Sequence, residues 1–178
     1  TSCLSLVGGL ELALSCDYRI GTEKTMLRFP ETSIGIYPGL GGTQRATRVC
    51  GIEAARFAVL AGNFMDAGTA SDLGLVTHLV EPAEVASLIS TLGKPENKYP
   101  GRPANPSSKI VEFAENFFSD ENLPNLLSGN CPEGFDAEEK NVMRQIRALS
   151  RTAPIALRMA SQLIDKSEEE LVSGLKAE

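Results

Sequence analysis

The sequence predicts an α/β domain followed by a helical tail, and three observations carry that reading. Short aliphatic runs with strand character alternate with helical patterns through residues 1–92. A segment holding four prolines, GKPENKYPGRPANPSS, interrupts the pattern from Gly93 and reads as a linker or long loop over 93–107. Beyond it, residues 108–178 show helical periodicity and caps, with no strand pattern. The chain opens at Thr1 directly on a strand-like run, which reads as a piece of a longer polypeptide.

Taken in order, residues 2–7 are expected to form a short buried strand. Gly8-Gly9 breaks it, and LELALSC continues as a short helix. YRIG and MLRF flank Thr22–Thr25 and predict a hairpin or two adjacent strands. Pro30 to Gly42 holds two prolines and four glycines and reads as a loop. Ala46–Ala61 is helical with an interruption at Gly51. Asp66–Asp72 is a short helix capped by Asp66, Leu75–Val80 a strand and Ala83–Leu92 a helix. In the tail, helices are expected over Lys109–Ser119, Asp136–Ser150 and Pro154–Asp165, with a short one from Glu168. Asp136 with Glu139, and Ser167 with Glu170, have capping-box spacing. Pro154 suits a first helical turn. Val142, Met143, Ile146 and Leu149 make one apolar stripe.

Composition excludes several functions. Lys and Arg number 17 against 23 Asp and Glu, a net charge of −6, which argues against a general nucleic-acid or membrane-surface binder. No apolar run is long enough to span a bilayer. Cys3, Cys16, Cys50 and Cys131 are scattered without a CxxC pair, and His78 is the one histidine, so no metal site is expected. Nothing points to a disulfide framework, and a reducing, cytoplasmic setting is the default.

Two segments could carry chemistry. In VGGLELALSCD, residues 7–17, a glycine pair at a strand-to-helix junction leaves backbone N–H groups unshielded, at the positive end of the helix. Such amides suit an anion, or an oxyanion that exists only in a transition state. Glu11 stands three residues on, within the same turn. The plainer account, a packing turn followed by a helix charge, is equally open on these residues alone. In FPETSIGIYPGLGGTQR, residues 29–45, Glu31 sits among Phe29, Pro30 and Ile34, and a carboxyl in apolar surroundings has a raised pKa suited to acid/base work. Gly35, Gly39, Gly41 and Gly42 let backbone amides approach a ligand. The pattern lacks both dinucleotide-fingerprint and P-loop spacing. A compact loop ahead of a helix near Thr43 is the plainer account here.

Together these segments closely resemble the enoyl-CoA hydratase/isomerase (crotonase) superfamily. The family's GGGxELALACD element stands here as VGGLELALSCD, its PExxLGxxPGxGGTQRLxRxxG element as PETSIGIYPGLGGTQRATRVCG, and its AxxxGLV segment as ASDLGLVTHLVEP. The match runs through residues 4–85. The tail, with ENFFSDENLPNLL and SRTAPIALRMASQLI, resembles the family's C-terminal helices. Its long insertion is similar to the hydroxyisobutyryl-CoA hydrolase branch and to the hydratase part of bifunctional 3-hydroxyacyl-CoA dehydrogenase/enoyl-CoA hydratase proteins.

The resemblance implies the second half of a crotonase-like spiral ββα core, with a helical tail for self-association as a homo-trimer or hexamer. It implies hydration of 2-enoyl-CoA thioesters in fatty-acid β-oxidation, within a larger protein. Acyl-CoA is then the substrate, with no metal or redox cofactor, and NAD would serve only a fused dehydrogenase domain. The two acids that grip the reacting water fall on Glu11 and Glu31, with their roles left open because a shared water couples them. The Gly8 amide falls on the oxyanion hole, and the Gly39 amide on a contact that helps hold the water. Val7 stands where the family has its first glycine, and because the oxyanion glycine is kept the change is expected to have little functional effect. Both acids are present, whereas isomerase branches usually keep one. Gly39 is glycine, where hydrolase branches carry an acid. The family's second oxyanion amide and much of its CoA nucleotide site belong to the N-terminal half, so the 178 residues alone are expected to catalyse poorly. An isomerase, a thioester hydrolase and a non-catalytic assembly module are the rival readings.

The remaining residues read as structural. His78 is expected to pack in the core or at an edge, and Cys16, Cys50, Phe117 and Phe118 to pack. Asp17 is expected to end its helix. Lys94, Lys98, Arg102 and Lys109 read as a solvated linker rather than phosphate ligands. Arg144, Arg147, Arg151 and Arg158 lie on tail helices that could cover an acyl-CoA site.

Overall fold

A computed structural model describes residues 4–92, 94, 105, 107–168 and 171–178. Most of the expected linker, including Lys98 and Arg102, lies outside the described residues, as do Cys3 and Glu170. The first half runs β1 (Leu4–Leu6), α1 (Gly8–Leu14), β2 (Ile20–Gly21), β3 (Met26–Arg28), a 3-10 turn (Glu31–Ile34), α2 (Gly42–Cys50), α3 (Ile52–Val59), β4 (Met65–Asp66), α4 (Ala67–Asp72), β5 (His78–Leu79) and α5 (Val85–Leu92). The tail runs α6 (Lys109–Phe117), α7 (Leu123–Leu127), α8 (Lys140–Leu149), α9 (Pro154–Asp165), a second 3-10 turn (Lys166–Glu168) and α10 (Leu171–Ala177).

The strands depart from the expected hairpin. β3 pairs parallel with β1, Leu4 opposite Met26, and antiparallel with β4 on its other side. β2 instead pairs parallel with β5, Ile20 opposite His78. The reason lies in long-range bonds around Arg19. Its carbonyl accepts from Thr77 N at 2.8 Å, and its Nε donates to the Leu75 carbonyl at 2.9 Å. Residues 75–79 thereby capture β2, while a tight Thr22–Thr25 turn sends the chain into the other sheet. The expected strand Leu75–Val80 shrinks to two residues, and Leu75 and Val76 instead bury themselves in the core.

Helix signals read well where capping is local. Asp66 accepts from Thr69 N at 2.8 Å and starts α4 as expected. α9 begins on Pro154, whose missing N–H would have been unpaired in any case. The α8 expectation needs correction. Asp136 Oδ1 accepts from Glu138 N, so that residue is used in a turn. Glu139 is the cap, accepting from Asn141 N and Val142 N, and the helix starts four residues later than expected. α7, unforeseen, is held by the buried Leu126.

One apolar core runs through both halves and includes Leu10, Phe29, Phe57, Leu73, Phe117, Phe118 and Ile164. α3 packs on α2, α6 and α9. Arg56 of α3, itself buried, donates to the Phe118 carbonyl at 3.1 Å, to Asp120 at 2.7 Å and to Asp165 at 2.8 Å. It thus fastens the ends of α6 and α9 to the middle of the core. Ser108, the cap of α6, donates to Asp72 at 2.7 Å and ties the tail to α4.

Candidate active site

The site is assembled from the N-termini of two short helices and the 3-10 turn between them. Val7, the residue before α1, has φ 52° and ψ −136°. That region favours glycine, and a β-branched residue there is strained. The bend aims the Val7 carbonyl along the helix, where it accepts from Leu10 N at 3.0 Å and Glu11 N at 3.3 Å. Gly8 and Gly9 are therefore the first two residues of the helix rather than a break before it. As first-turn residues their N–H groups have no partner within the helix.

α1 buries Leu10, Glu11 and Leu14 along one side, so Glu11 occupies a core-facing position and is 2% exposed. Its carboxylate is satisfied from the loop before α2. Glu11 Oε1 accepts from Leu40 N at 2.8 Å and from Gly42 N at 3.0 Å. Gly42 must be glycine here. A Cβ would stand 2.7 Å from Glu11 Oε1 and 2.5 Å from Pro38 Cβ. Gly41, between the two donors, has φ 90°, which turns successive amides to different sides. Gly8, Glu11, Leu12, Ser15, Leu40 and Arg45 line a cavity of about 160 Å³ at this point. Leu12 and Leu40, 70% and 69% exposed, give its rim an apolar surface.

Glu31 is placed differently. It opens the 3-10 turn behind the fully buried Phe29, and is 1% exposed. Thr32 secures the turn by donating to the Val59 and Leu60 carbonyls at 3.2 and 3.3 Å. Neither carboxylate oxygen of Glu31 has a hydrogen-bond partner among the described residues. Burial pushes its pKa above the ordinary carboxylate range, and the charge of Glu11 adds to the rise. The Glu31 backbone N–H and Arg28 oppose it. That coupling to Glu11 is the electrostatic link between the two acids.

The structure thus brings Gly8 and Glu11 to one cavity, with Glu31 buried nearby in electrostatic reach. Glu31 and Gly39 are not among the cavity walls, and Gly39 is exposed. The sequence pointed to Gly42 as one of several glycines that let amides approach a ligand, but not to the Leu40 amide, nor to Glu11 as the acceptor of both. The glycines around them were a usable signal, because they allow close approach of amides to an anion; the anion they hold is Glu11 itself.

Other candidates fall elsewhere. His78 is half-buried at the edge of β5, its Nδ1 2.9 Å from Thr77 Oγ1, and burial lowers its pKa. Cys16 is exposed rather than packed, while burial pushes the Cys50 thiol up to about 12, which keeps it an inert packing group. Lys140, Arg144, Arg147 and Arg151 line a separate groove with Asn63. Among the described residues no cluster of metal-ligating side chains exists, and no helix is long and apolar enough to cross a membrane.

The chain resembles known proteins over most of its length. The family model for enoyl-CoA hydratase/isomerase matches residues 4–178. The chain belongs to the enoyl-CoA hydratase/isomerase family. It is 43% identical over 91 residues to an enoyl-CoA isomerase/hydratase of Mycosarcoma maydis, covering 51% of this chain and 33% of that one. A peroxisomal bifunctional enzyme of Danio rerio is 34% identical over 159 residues, 86% of this chain and 19% of the relative. An enoyl-CoA hydratase structure from Rhodobacter sphaeroides shares the fold, with a TM-score of 0.69 at 22% identity over 97% of this chain and 50% of that one. The chain therefore spans half or less of each of these family members. The crotonase-like fold is shared.

Proposed function

We propose that this chain carries the acid/base half of a hydratase that adds water to 2-enoyl-CoA thioesters in fatty-acid β-oxidation. The observation that carries the reading is the pair of buried, electrostatically coupled glutamates, Glu11 and Glu31, in two unlike settings. Glu11, with two N–H donors on one oxygen and a cavity beside it, is suited to act as the base. Glu31, with its pKa raised by burial, is suited to hold a proton and deliver it. In this scheme Glu11 takes a proton from water as the water oxygen bonds to C3. The C2–C3 π pair shifts to make an enolate whose oxygen accepts from Gly8 N–H. Glu31 then protonates C2, giving the 3-hydroxyacyl-CoA, and the proton gained by Glu11 returns Glu31 to its acid form through solvent. Gly39 N–H would help hold the water at the outer end of the loop.

The whole-protein features follow the same reading. Residues 1–92 are the second half of the catalytic core, 93–107 the connection and 108–178 the oligomerisation tail or lid. The assembly is a homo-trimer or hexamer in the cytoplasm, and NAD would serve only a fused dehydrogenase domain. A second oxyanion donor and most of the CoA nucleotide site would come from outside these residues.

The test is hydration of crotonyl-CoA by the protein, alone and joined to the preceding half of its fold, compared with 3-enoyl-CoA and 3-hydroxyacyl-CoA as substrates. Hydration lost in both Glu11→Gln and Glu31→Gln is expected. Turnover of 3-enoyl-CoA or thioester cleavage instead would assign the chain to an isomerase or a hydrolase. No activity in any arm would leave an assembly module.

A further inference from the structure

We propose that Glu178 is a positioning residue for Glu11, acting through the glycine loop before α2. The inference rests on the reading of Glu11 as a reacting acid, and on contacts that reading does not use. The N-terminus of α2 receives two carboxylates from opposite directions. Glu11 takes the amides of Leu40 and Gly42. Glu178 takes the interleaved ones: Gly41 N donates to its Oε2, while Thr43 Oγ1 and, at 3.4 Å, Gln44 N donate to its Oε1. The left-handed Gly41 is what lets neighbouring amides serve opposite sides.

The helix carrying Glu178 is docked closely enough to hold it there. Tyr37 Oη donates to the Glu178 carbonyl at 2.9 Å, from the same loop. Gly174 packs so tightly on the buried Gln44 side chain that any Cβ would collide with it. Leu175 reaches Gly41. Gln44 Nε2 in turn donates to the Leu163 carbonyl at 2.6 Å, which ties this contact to α9. A loop of glycines has little stiffness of its own. Three backbone or side-chain donors, from Gly41, Thr43 and Gln44, are instead fixed by a carboxylate that reaches across 134 to 137 positions of sequence. Held on the far side, the loop can present Leu40 N and Gly42 N to Glu11 at one geometry, and misplacement of a reacting group by a fraction of an ångström is costly.

The experiment uses the full chain and reads two things. Amide hydrogen exchange is followed in wild type, Glu178→Gln and Glu178→Ala. The expected result is exchange about tenfold faster at Leu40 and Gly42, which Glu178 does not touch, with α3 and α6 unchanged. The Gln variant keeps an acceptor oxygen and should recover much of the protection, so a fold-wide loss in the Ala variant does not end the test. Acceleration confined to Gly41, Thr43 and Gln44 overturns the proposal and leaves Glu178 a simple helix cap. Where wild type hydrates crotonyl-CoA, Glu178→Ala should lower kcat about tenfold with KM within twofold, and Glu178→Gln should restore part of it; an unchanged kcat overturns the proposal. A wild type that does not hydrate even when joined to the preceding half of its fold refutes the hydratase reading, and the exchange result still decides the role of Glu178.

Discussion

Glu11 and Glu31 are equally hidden from water, yet they are held in opposite ways. Glu11 has two backbone donors on one oxygen and opens onto a cavity. Glu31 has none among the described residues, and burial raises its pKa. The contrast teaches that burial alone does not define a carboxyl's chemistry. A buried anion is tolerable with donors, whereas a buried carboxyl without them favours its proton. The difference between the two settings is whether a loop of glycines brings its amides near the carboxyl.

The largest effect that would break this comparison is catalytic. Glu11→Gln and Glu31→Gln should each lower crotonyl-CoA hydration by at least about 100-fold, the span general acid–base groups supply. A mutant that keeps its rate would remove that residue from the scheme. Stability should then divide the pair. Glu11→Ala leaves the Leu40 and Gly42 amides without their acceptor and should cost about 1–3 kcal/mol in urea unfolding. Glu31→Gln loses no hydrogen bond and should cost less than Glu11→Ala in the same measurement. Gly42→Ala approaches Glu11 from the loop side, and should cost about 1–3 kcal/mol by overpacking against Pro38 and the carboxylate.

The same contrast has a pH signature. The folded-state pKa of Glu31 is raised, so in the interval between its unfolded and folded values the native state binds the extra proton. Stability from this group is full below the unfolded carboxyl value and declines as pH rises through the folded value. Glu31→Gln should remove that decline. The check is the urea midpoint of wild type and variant measured from mildly acidic to neutral pH; parallel curves would show that Glu31 is not the group responsible.

What the sequence made legible depended on how local the cause was. Asp66 and Pro154 mark helix starts within a turn of themselves, and both were read correctly. The motif at residues 7–17 marked a strand-to-helix junction, and the structure places Gly8 and Glu11 at one cavity there. The sheet partner of β2 was not, because Arg19 and residues 75–79 decide it across more than fifty positions, while the Thr22–Thr25 turn looks like a hairpin from either side. Asp136 misled for a related reason: the spacing to Glu139 fits a capping box, yet Glu139 itself can reach Asn141 and Val142, and it won. The donors to Glu11 were half legible. GLGG announces unshielded amides, but nothing local says that one carboxylate comes from α1 and another from Glu178.

The smallest effect tests the Glu11 side at its origin. Val7 replaces a glycine of the family pattern and sits at φ 52°, so the chain carries strain of about 1–3 kcal/mol at the residue whose carbonyl anchors Glu11 N. The pattern led us to expect little functional effect, because Gly8 is kept; the backbone adds a stability cost to that expectation. Val7→Gly should relieve the strain but lose about 0.5–1 kcal/mol to the greater freedom of glycine in the unfolded chain. Val7 is 42% exposed, so little packing is forfeited. The net expectation is a gain on the order of 1 kcal/mol in urea unfolding, by difference of those two terms. A loss instead would mean that the valine side chain, rather than the bend beneath it, stabilises the entry to α1.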